Sequence, residues 1–471
     1  MRHARARQVD EDATGDGACV DLRSWLRMLA SDGRLAPITR PAALEFEIAA
    51  IAKRLDGERA TYFANPQGND GRVVSGILSR RAWMAQALGL AENEMLDRFQ
   101  QAVAEPLAWR EVEAAPCREI VHTAPDLRRL LPIPTHNEHD SGAYITAGVL
   151  IVRNPRTGRQ NVSIHRLQVS GANRLGALLL PRHTLAFHDM AEAAGEDLDV
   201  AIAIGVAPSV LLASQAIAPL DQDELEIAGA LTGRPIDVVR CLGSEIRVPA
   251  HSEIVIEGRF LAGRREPEGP FGEFPQYYGP RADRHVIEVD AVSTRRNPIF
   301  HTIVGGGLEH LLLGGIPREA TILAALRRSF PNVRDVHLSR GGVCRYHLYV
   351  KIAKRFEGEA KNVIMGAFAA HYDVKHVVVV DDDVDIHDPA QVEWALATRF
   401  QADRDLLVVA GSQGSKLDPS TDDGLGAKMG CDATKPLNAP EMRFKRIRIP
   451  GEEEIDLAAT IDGSIAAADL V

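Results

Sequence analysis

The middle third of the chain constrains the fold most, because it carries one strand pattern after another with few helical segments. Apolar and β-branched runs at residues 144–152, 160–169 and 253–260 are typical of strands. Residues 154–158, Asn-Pro-Arg-Thr-Gly, predict a hairpin turn between the first two runs. Further strand patterns lie at residues 200–206, 236–241, 285–292 and 299–304, and helical ones at 184–194 and 224–231. This succession predicts a barrel-like or strongly curved sheet.

Helix and strand patterns alternate on both sides of this middle segment, which predicts α/β layers there. Before it, helices are predicted at residues 22–31, 41–55 and 79–87, and strands at 61–63 and 73–78. After it, strands are predicted at residues 336–338, 346–352, 377–380 and 406–409, and helices at 359–371 and 389–399. The pattern loosens near residues 116–134, which marks a boundary. A length of 471 residues fits about two to four domains.

The charge balance disfavours two classes of partner. A net charge of −11 argues against a general nucleic-acid binder and against adsorption to anionic membranes. No stretch approaches the roughly 20 apolar residues of a membrane span. Residues 1–20 lack the apolar core of a secretory signal and predict a disordered lead-in. The five cysteines are far apart and form no C-x-x-C pair, so we expect a cytoplasmic protein.

The most informative motif for chemistry is the loop at residues 267–274, which sets Glu268 and Glu273 five residues apart between glycines and prolines. Two carboxylates in one enclosed site do not easily both ionise, so one can serve as a general acid. Arg166, in the segment Asn-Val-Ser-Ile-His-Arg, is a cation that can join them. The alternative interpretation is a solvated acidic turn.

Four scattered residues can be considered as metal ligands. His183 and His188 are five residues apart, although histidines in such a helix more often lie at the surface or in the core. Asn161 adds an amide oxygen and Glu224 a carboxylate. An Asn, His and Glu set suits Mn²⁺ or Mg²⁺ that also holds a phosphate, but spacing alone does not establish it.

Three glycine-rich or acidic segments give weaker indications. Residues 381–385, Asp-Asp-Asp-Val-Asp, are either a metal-binding cluster or, as we prefer, a polar loop at a strand end. Residues 305–307 lack the pattern of a phosphate-binding loop and predict a mobile loop beside a pocket. Residues 424–428 predict a Gly-rich turn whose Lys428 can reach an anion.

Together these segments resemble the UbiD family of reversible decarboxylases, which use prenylated FMN. The matches include YITAGV at residues 144–149, NVSIHR at 161–166, EGPFGE at 268–273 and GAKMGCDAT at 426–434. Further matches lie at residues 182–183, 224–231, 248–258 and 381–385. The resemblance runs from about residue 22 to residue 437.

The resemblance implies roles for the matching residues. Asn161, His183 and Glu224 correspond to the ligands of a Mn²⁺ or Mg²⁺ ion that bridges to the cofactor phosphate, with Glu226 as a competitor for Glu224. Arg166, Glu268 and Glu273 correspond to the catalytic network. The further residues implied in cofactor binding are Ser163, Ile164, His165, Arg166, Arg182, Ser214 and Lys428. A monovalent cation, K⁺, is implied near Thr146, Val162 and residues 213–216.

The resemblance also implies an α/β multidomain architecture. It comprises an N-terminal α/β domain at residues 21–118, a central split β-barrel that binds the cofactor and resembles flavin reductases at 119–312, and a C-terminal α/β oligomerisation domain at 313–471. A homodimer or homohexamer is implied, as is a flavin prenyltransferase that supplies the cofactor.

The implied reaction is reversible, non-oxidative decarboxylation through a covalent adduct with the cofactor. Loss of CO₂ from an sp² carbon needs an electron sink, which the flavin supplies, and a proton, for which Glu273 is the predicted donor. Arg166 is suited to holding the substrate carboxylate, and Glu268 would couple to it. The competing functions are a flavin-binding oxidoreductase and a non-catalytic subunit of a larger carboxylase or decarboxylase complex.

The substrate is left open among aromatic, heteroaromatic and α,β-unsaturated acids, as is the direction of the reaction. Specificity is predicted to lie in residues 274–278, 301–309 and 398–400. Glu309 and His310 are hypothesised to recognise a polar group on the substrate.

Overall fold

A computed structural model describes residues 17–461 and residue 463. Residues 1–16 of the predicted lead-in therefore lie outside the described residues. The described chain follows the predicted order of an α/β part, a β-rich part and a second α/β part.

The N-terminal part packs helices around a small sheet. Its helices are α1 (Leu22–Ser31), α2 (Glu47–Arg54), α3 (Arg81–Ala87) and α4 (Met95–Ala104). Its strands are β1 (Leu35–Ile38), β2 (Ala60–Phe63), β3 (Arg72–Ser75) and β4 (Arg110–Glu111). Helix α1 has the predicted bounds, whereas α2 begins at Glu47 and not at residue 41. The difference arises because Ala42 and Glu45 make bridges to Pro66 and Thr135, which hold the backbone before α2 extended.

The central part is dominated by strands, as predicted. Its strands are β5 (Ile120–Thr123), β6 (Tyr144–Ile145), β7 (Val149–Arg153), β8 (Gln160–Ile164), β9 (Leu167–Val169), β10 (Arg174–Ala177), β11 (Leu198–Ile204), β12 (Asp237–Arg240), β13 (Arg247–Pro249), β14 (Ile254–Glu268), β15 (Phe271–Gly272), β16 (Tyr278–Gly279), β17 (Ala282–Thr294) and β18 (Ile299–His301). Its helices are α5 (Leu127–Leu130), α6 (His183–Ala193), α7 (Pro208–Ala213) and α8 (Glu224–Thr232).

The central sheet curls into a half-barrel. Its strand order is β6-β9-β10-β17-β14-β11-β7-β8, with β5 paired to β17. The long antiparallel pair β14 and β17 shifts register after Glu257 and again after Phe260. Bulges of this kind bend a strand and increase its twist. At Gly258 an added Cβ would lie 2.1 Å from the carbonyl oxygen of Glu288, so the first irregularity requires glycine. The likeness to flavin reductases stays a prediction.

Helix α9 (Leu308–Ser329) is the main element that the sequence patterns do not predict. Its first half contains Gly314, Gly315 and Pro317, which are turn signals in a sequence. Packing overrides them, because α9 lies in contact with α4, α7 and the later elements α10 (Glu359–Ala370) and β19 (Val333–Leu338). The predicted boundary between residues 312 and 313 falls within this helix, and the domain limits stay predictions.

The C-terminal part is an α/β layer. After β19 come β20 (His347–Ile352), α10, β21 (His376–Asp381), α11 (Pro389–Arg399), α12 (Ala402–Asp405), β22 (Leu406–Gln413), β23 (Leu425–Ala433) and α13 (Leu457–Thr460). The sheet order is β19-β20-β21-β23-β22. The prediction of a Gly-rich turn at residues 424–428 was wrong from residue 425 onward. A glycine further along β23 allows close packing, since a Cβ on Gly430 would lie 2.2 Å from Ile364 on α10.

Two features concern the whole chain. All five cysteines are buried and unpaired. Among the described residues, no helix combines the length and the apolar character that crossing a membrane requires.

Candidate active site

A cavity of about 810 Å³ opens between the central sheet and the C-terminal part. Its walls come from β8 and the turn after it, the start of α6, the first half of α9 and the end of α10. Nine of the residues predicted to bind the cofactor or metal line it, namely Asn161, Ser163, Ile164, His165, Arg166, Arg182, His183, Ser214 and Glu224. Glu273 of the predicted catalytic network lines it as well.

One guanidinium joins the two carboxylates of the acidic loop. Arg166 donates from Nη2 to Oε2 of Glu268 at 2.8 Å and from Nη1 to Oε1 of Glu273. Tyr144 donates its hydroxyl to the other oxygen of Glu268 at 3.0 Å. Glu268 is fully buried and Glu273 nearly so, which contradicts the interpretation of a solvated acidic turn.

Local chain geometry brings these side chains together. Arg166 lies in the gap between β8 and β9, Glu268 ends β14, and Glu273 follows β15 in a small hairpin with β16. The guanidinium fits because Gly279 faces it, where an added Cβ would lie 2.9 Å from Nη1. The ring of Phe271 lies 5.2 Å below the guanidinium carbon, a cation–π contact.

Burial raises the pKa of Glu273. The positive charge of Arg166 lowers that pKa but does not cancel the effect of burial, since the negative charges of Glu268 and Asp140 also raise it. A raised pKa favours the protonated carboxyl, which is the form that can give a proton. The guanidinium Nε of Arg166 is buried and has no hydrogen-bond partner among the described residues. The site therefore presents a guanidinium, held by two carboxylates, beside a protonatable carboxyl.

The predicted metal ligands meet at one place in the cavity. Asn161 Oδ1 lies 3.2 Å from His183 Nδ1, and Glu224 accepts the backbone N–H of Val162 at 2.6 Å. Burial raises the pKa of Glu224 well above its usual range and lowers that of His183, so the imidazole is neutral. Neutral imidazole, amide oxygen and carboxylate are the donor types that a divalent ion takes, so these residues fit one.

A hydrogen-bonded set supports these three residues. Ser163 and His165 contact each other at 3.0 Å, and both contact Thr184, to which Asn161 also donates at 3.0 Å. Burial lowers the pKa of His165 to about 4, so it is neutral at physiological pH. This set fixes the orientation of the Asn161 amide, whose oxygen faces His183.

Other candidates from the sequence lie elsewhere. Glu226 pairs with Arg159 at 2.8 Å outside the cavity, which leaves Glu224 as the carboxylate inside it. Lys428 donates to the carbonyl oxygens of Tyr372 and Val374, at 2.7 and 2.6 Å, and does not line the cavity. Its role at a phosphate stays a prediction.

Two histidine and aspartate candidates are structural. His188 does not line the cavity; it is buried against the rings of Phe260 and His285, with the carboxylates of Asp189 and Glu192 at 3.7 and 4.0 Å. In the acidic run at residues 381–385, Asp381 and Asp383 pair with the buried Arg399. The run is thus the polar loop that we prefer on sequence grounds, and Arg399 is not free to recognise a substrate.

The hypothesis for Glu309 was wrong. Its carboxylate accepts the backbone N–H groups of Gly76 and Leu78, at 2.8 and 3.0 Å, and contacts His301, all outside the cavity. Its neighbour His310 does line the cavity, where burial and the adjoining arginines lower its pKa to about 3.

The sequence patterns missed two arginines in the cavity wall, Arg318 and Arg345. Arg345 is buried and Arg318 largely so, and the hydrogen bonds of Arg345 go to the carbonyl oxygens of Leu311 and Cys344 rather than to a carboxylate. Burial and the charge of Arg318 lower the pKa of Arg345 to about 9. Within the part of the chain that the structure describes, Arg318 Nε has no hydrogen-bond partner, and Asp373 Oδ2 lies 3.6 Å from it. Arg318 could have been found from the sequence only by recognising helix α9, which the sequence patterns do not predict.

Family models match almost all of the chain. Residues 26–103, 110–308 and 311–433 match the N-terminal, Rift-related and C-terminal domains of UbiD, described as 3-octaprenyl-4-hydroxybenzoate carboxy-lyase. Among curated relatives, anhydromevalonate phosphate decarboxylase from Methanothermobacter thermautotrophicus is 41% identical over 403 residues, covering 85% of this chain and 94% of that protein.

Solved structures give the same result. The UbiD-class enzyme HmfF from Pelotomaculum thermopropionicum, in complex with FMN, has a TM-score of 0.92 at 50% identity, covering 94% of this chain and 100% of that one. An evolved dimeric form of that enzyme, in complex with prFMN, has a TM-score of 0.89 at 48% identity, with the same coverage.

Proposed function

This chain belongs to the UbiD family of carboxy-lyases, and on that premise we propose that it decarboxylates an aromatic, heteroaromatic or α,β-unsaturated acid reversibly and without oxidation. Prenylated FMN is the proposed cofactor. The observation that carries the proposal is the Arg166, Glu268 and Glu273 cluster in the wall of the large cavity.

In the proposed reaction, Arg166, Glu268 and Glu273 have separate roles. Arg166 holds the substrate carboxylate, while Glu268, which accepts the Tyr144 hydroxyl, fixes the guanidinium. Glu273 gives its proton to the carbon that loses CO₂, so that the acid becomes the corresponding C–H compound. When bound, the cofactor would supply the electron sink for that step.

Cofactor binding is assigned to the amide, imidazole and carboxylate donors of the cavity. Asn161, His183 and Glu224 would hold Mn²⁺ or Mg²⁺ at the cofactor phosphate, and Arg182 lies beside them. The backbone near Thr146, Val162 and Ser214 lines the same cavity and is proposed for K⁺. Maturation by a flavin prenyltransferase stays part of the proposal.

The substrate, on this proposal, carries a second anionic group. Buried guanidiniums without carboxylate partners are costly, so an anion from a ligand would stabilise them. Arg345 is such a group, because its described hydrogen bonds go to carbonyl oxygens. Arg318 has one carboxylate nearby, Asp373 Oδ2 at 3.6 Å from Nε, and the neutral His310 adds a polar ring beside the two arginines. Relatives named anhydromevalonate phosphate decarboxylase act, by their name, on a compound that carries a phosphate.

The test uses protein co-expressed with a flavin prenyltransferase and supplied with Mn²⁺ and K⁺. We would record its absorbance spectrum and the mass of the bound flavin, then measure CO₂ release. The panel pairs aromatic and heteroaromatic dicarboxylic acids with the matching monoacids, and includes a phosphate-bearing unsaturated acid. We expect bound prenylated FMN and CO₂ release that Glu273→Gln abolishes.

The same experiment separates the competing functions. Ordinary FMN with hydride transfer from a nicotinamide would indicate an oxidoreductase. An empty cavity, under conditions that load a known relative, would indicate a non-catalytic subunit. The intact Arg166, Glu268 and Glu273 cluster argues against the latter.

A further inference from the structure

The hairpin that carries Glu273 is attached to a neighbouring segment of the chain, residues 137–141. Asp140 Oδ1 accepts the backbone N–H of Gly272 at 2.8 Å. Ser141 donates its N–H to the carbonyl oxygen of Pro270 at 3.0 Å and its hydroxyl to that of Gly269. Three residues of the acidic loop, all within four positions of Glu273, are thus held by this one segment.

Asp140 is itself fixed by the start of its own segment. Its Oδ2 accepts both the backbone N–H and the side-chain amide of Asn137, at 2.9 and 3.1 Å. Asn137 in turn packs directly on Gly272, where an added Cβ would lie 2.4 Å from the amide nitrogen. On its other side the carbonyl oxygen of Gly272 lies 2.4 Å from the Cβ position of Gly305. The residue before Glu273 therefore cannot shift without breaking these contacts.

From this geometry we infer that Asp140 is a positioning residue that holds the proton-donating carboxyl of Glu273 in place through the backbone of Gly272. The inference rests on the proposed function for the role of Glu273, but the anchoring itself does not. Asp140 does not line the cavity, and its described side-chain hydrogen bonds go to Asn137 and Gly272. It acts through another residue.

Asp140 also influences the charge at Glu273. The charged groups that face Glu273 are Arg166 from the turn after β8, Glu268 from the end of β14, and Asp140 from the segment before β6. Asp140 and Glu268 oppose ionisation of Glu273, whereas Arg166 favours it. Replacing Asp140 by a neutral residue should therefore favour the ionised, inactive form of Glu273.

The first test measures amide hydrogen exchange of residues 268–279 in the protein as purified, which requires no turnover. Asp140→Ala should raise exchange at Gly272 at least tenfold, whereas Glu138→Gln, an exposed carboxylate in the same segment, should leave it unchanged. Unchanged exchange in a folded Asp140→Ala protein would overturn the anchoring.

The second test uses loaded enzyme. Asp140→Ala should lower kcat by up to about 100-fold with little change in KM, because misplacing a catalytic group costs that order. Asp140→Asn keeps the size of the side chain and should move the pH midpoint of kcat downward. If both variants have the kcat and the pH profile of wild type, the inference is overturned. If the alanine variant does not fold, Asp140→Asn alone provides this comparison.

Discussion

At the residue scale, the guanidinium of Arg166 pairs with two buried carboxylates, Glu268 and Glu273, whose surroundings differ. Glu268 receives the Tyr144 hydroxyl as well as Arg166 and is sealed from the cavity. Glu273 shares Arg166 but faces the cavity, and burial raises its pKa. The carboxyl whose pKa is raised is thus the one that faces the cavity and can deliver a proton there.

The raised pKa of Glu273 predicts a pH dependence. The protonated carboxyl is the donor, so kcat for decarboxylation should fall as pH rises through that pKa, which lies above the usual 4.5. The measurement is kcat against pH for wild type and for Glu273→Gln. The variant should show only a small residual rate, and this rate should not fall as pH rises through the pKa of Glu273. A wild-type rate that rises with pH across this range would contradict the donor role.

Arg318 predicts substrate selectivity. Arg318→Gln should raise KM for a dicarboxylic substrate about 30-fold, since a charge-assisted hydrogen bond contributes about 2 kcal/mol. The monoacid partner should be affected much less. Arg328→Gln, an exposed arginine on the same helix, is the matched control and should change neither KM. Equal effects of Arg318→Gln on both acids would exclude a role in recognising the second anion.

At the element scale, α9 shapes the cavity through its glycines. The side chain of Arg345 crosses the helix at Gly314, where an added Cβ would lie 1.6 Å from Nη2. The guanidinium is then held by the carbonyl oxygen of Leu311, one turn earlier, at 2.9 Å. A pair of glycines that resembles a turn in the sequence thus admits a cation to the cavity.

Gly314→Ala tests this arrangement. In an ordinary helix the change would stabilise by about 1 kcal/mol. Here the methyl group should displace Arg345 and weaken binding of a dianionic substrate, with the melting temperature unchanged or lower. The measurements are KM and thermal unfolding, with Gly341→Ala as the control because no atom lies within 4 Å of its Cβ position. A simple gain in stability with normal KM would show that Arg345 is not constrained there.

At the scale of the whole molecule, a buried ion pair ties the N-terminal part to the C-terminal part. Glu319 on α9 pairs with Arg81 on α3 and accepts from the backbone of Leu338 at 2.8 Å, with His337 at 3.0 Å. Burial alone would raise the pKa of Glu319, but Arg81 and His337 outweigh it and lower the pKa to about 2.

Glu319→Gln should therefore lower the free energy of unfolding by about 3 kcal/mol at neutral pH, because the largely buried Arg81 loses its close carboxylate and keeps only Glu92 at 3.8 Å. In wild type this contribution is present above the unfolded pKa, near 4.5, and is lost as pH falls towards about 2. Denaturant unfolding at several pH values measures both effects. Asp97→Asn, which removes an exposed pair with Arg327, should cost less than about 1 kcal/mol. Equal losses in the two variants would contradict the argument.

Strand β22 predicts self-association. It is an edge strand that exposes Leu406, Val408 and Val409, and exposed apolar edges are pairing sites. We expect a homodimer or homohexamer in light scattering, and Val408→Lys should shift the mass towards the 51.2 kDa monomer. Leu242→Lys, at an exposed apolar residue of the central part, is the control. A monomeric wild type would exclude assembly through this edge.

The sequence by itself determined the succession of α/β, β-rich and α/β parts and the motif residues Arg166, Glu268 and Glu273. These follow from local periodicity, turn chemistry and short ordered motifs, which are properties of neighbouring residues. The tertiary structure alone decided which distant residues meet. It turned Glu309 away from the cavity and brought Arg318 and Arg345 into it, because packing around α9 overrides the local preference of its glycines and proline.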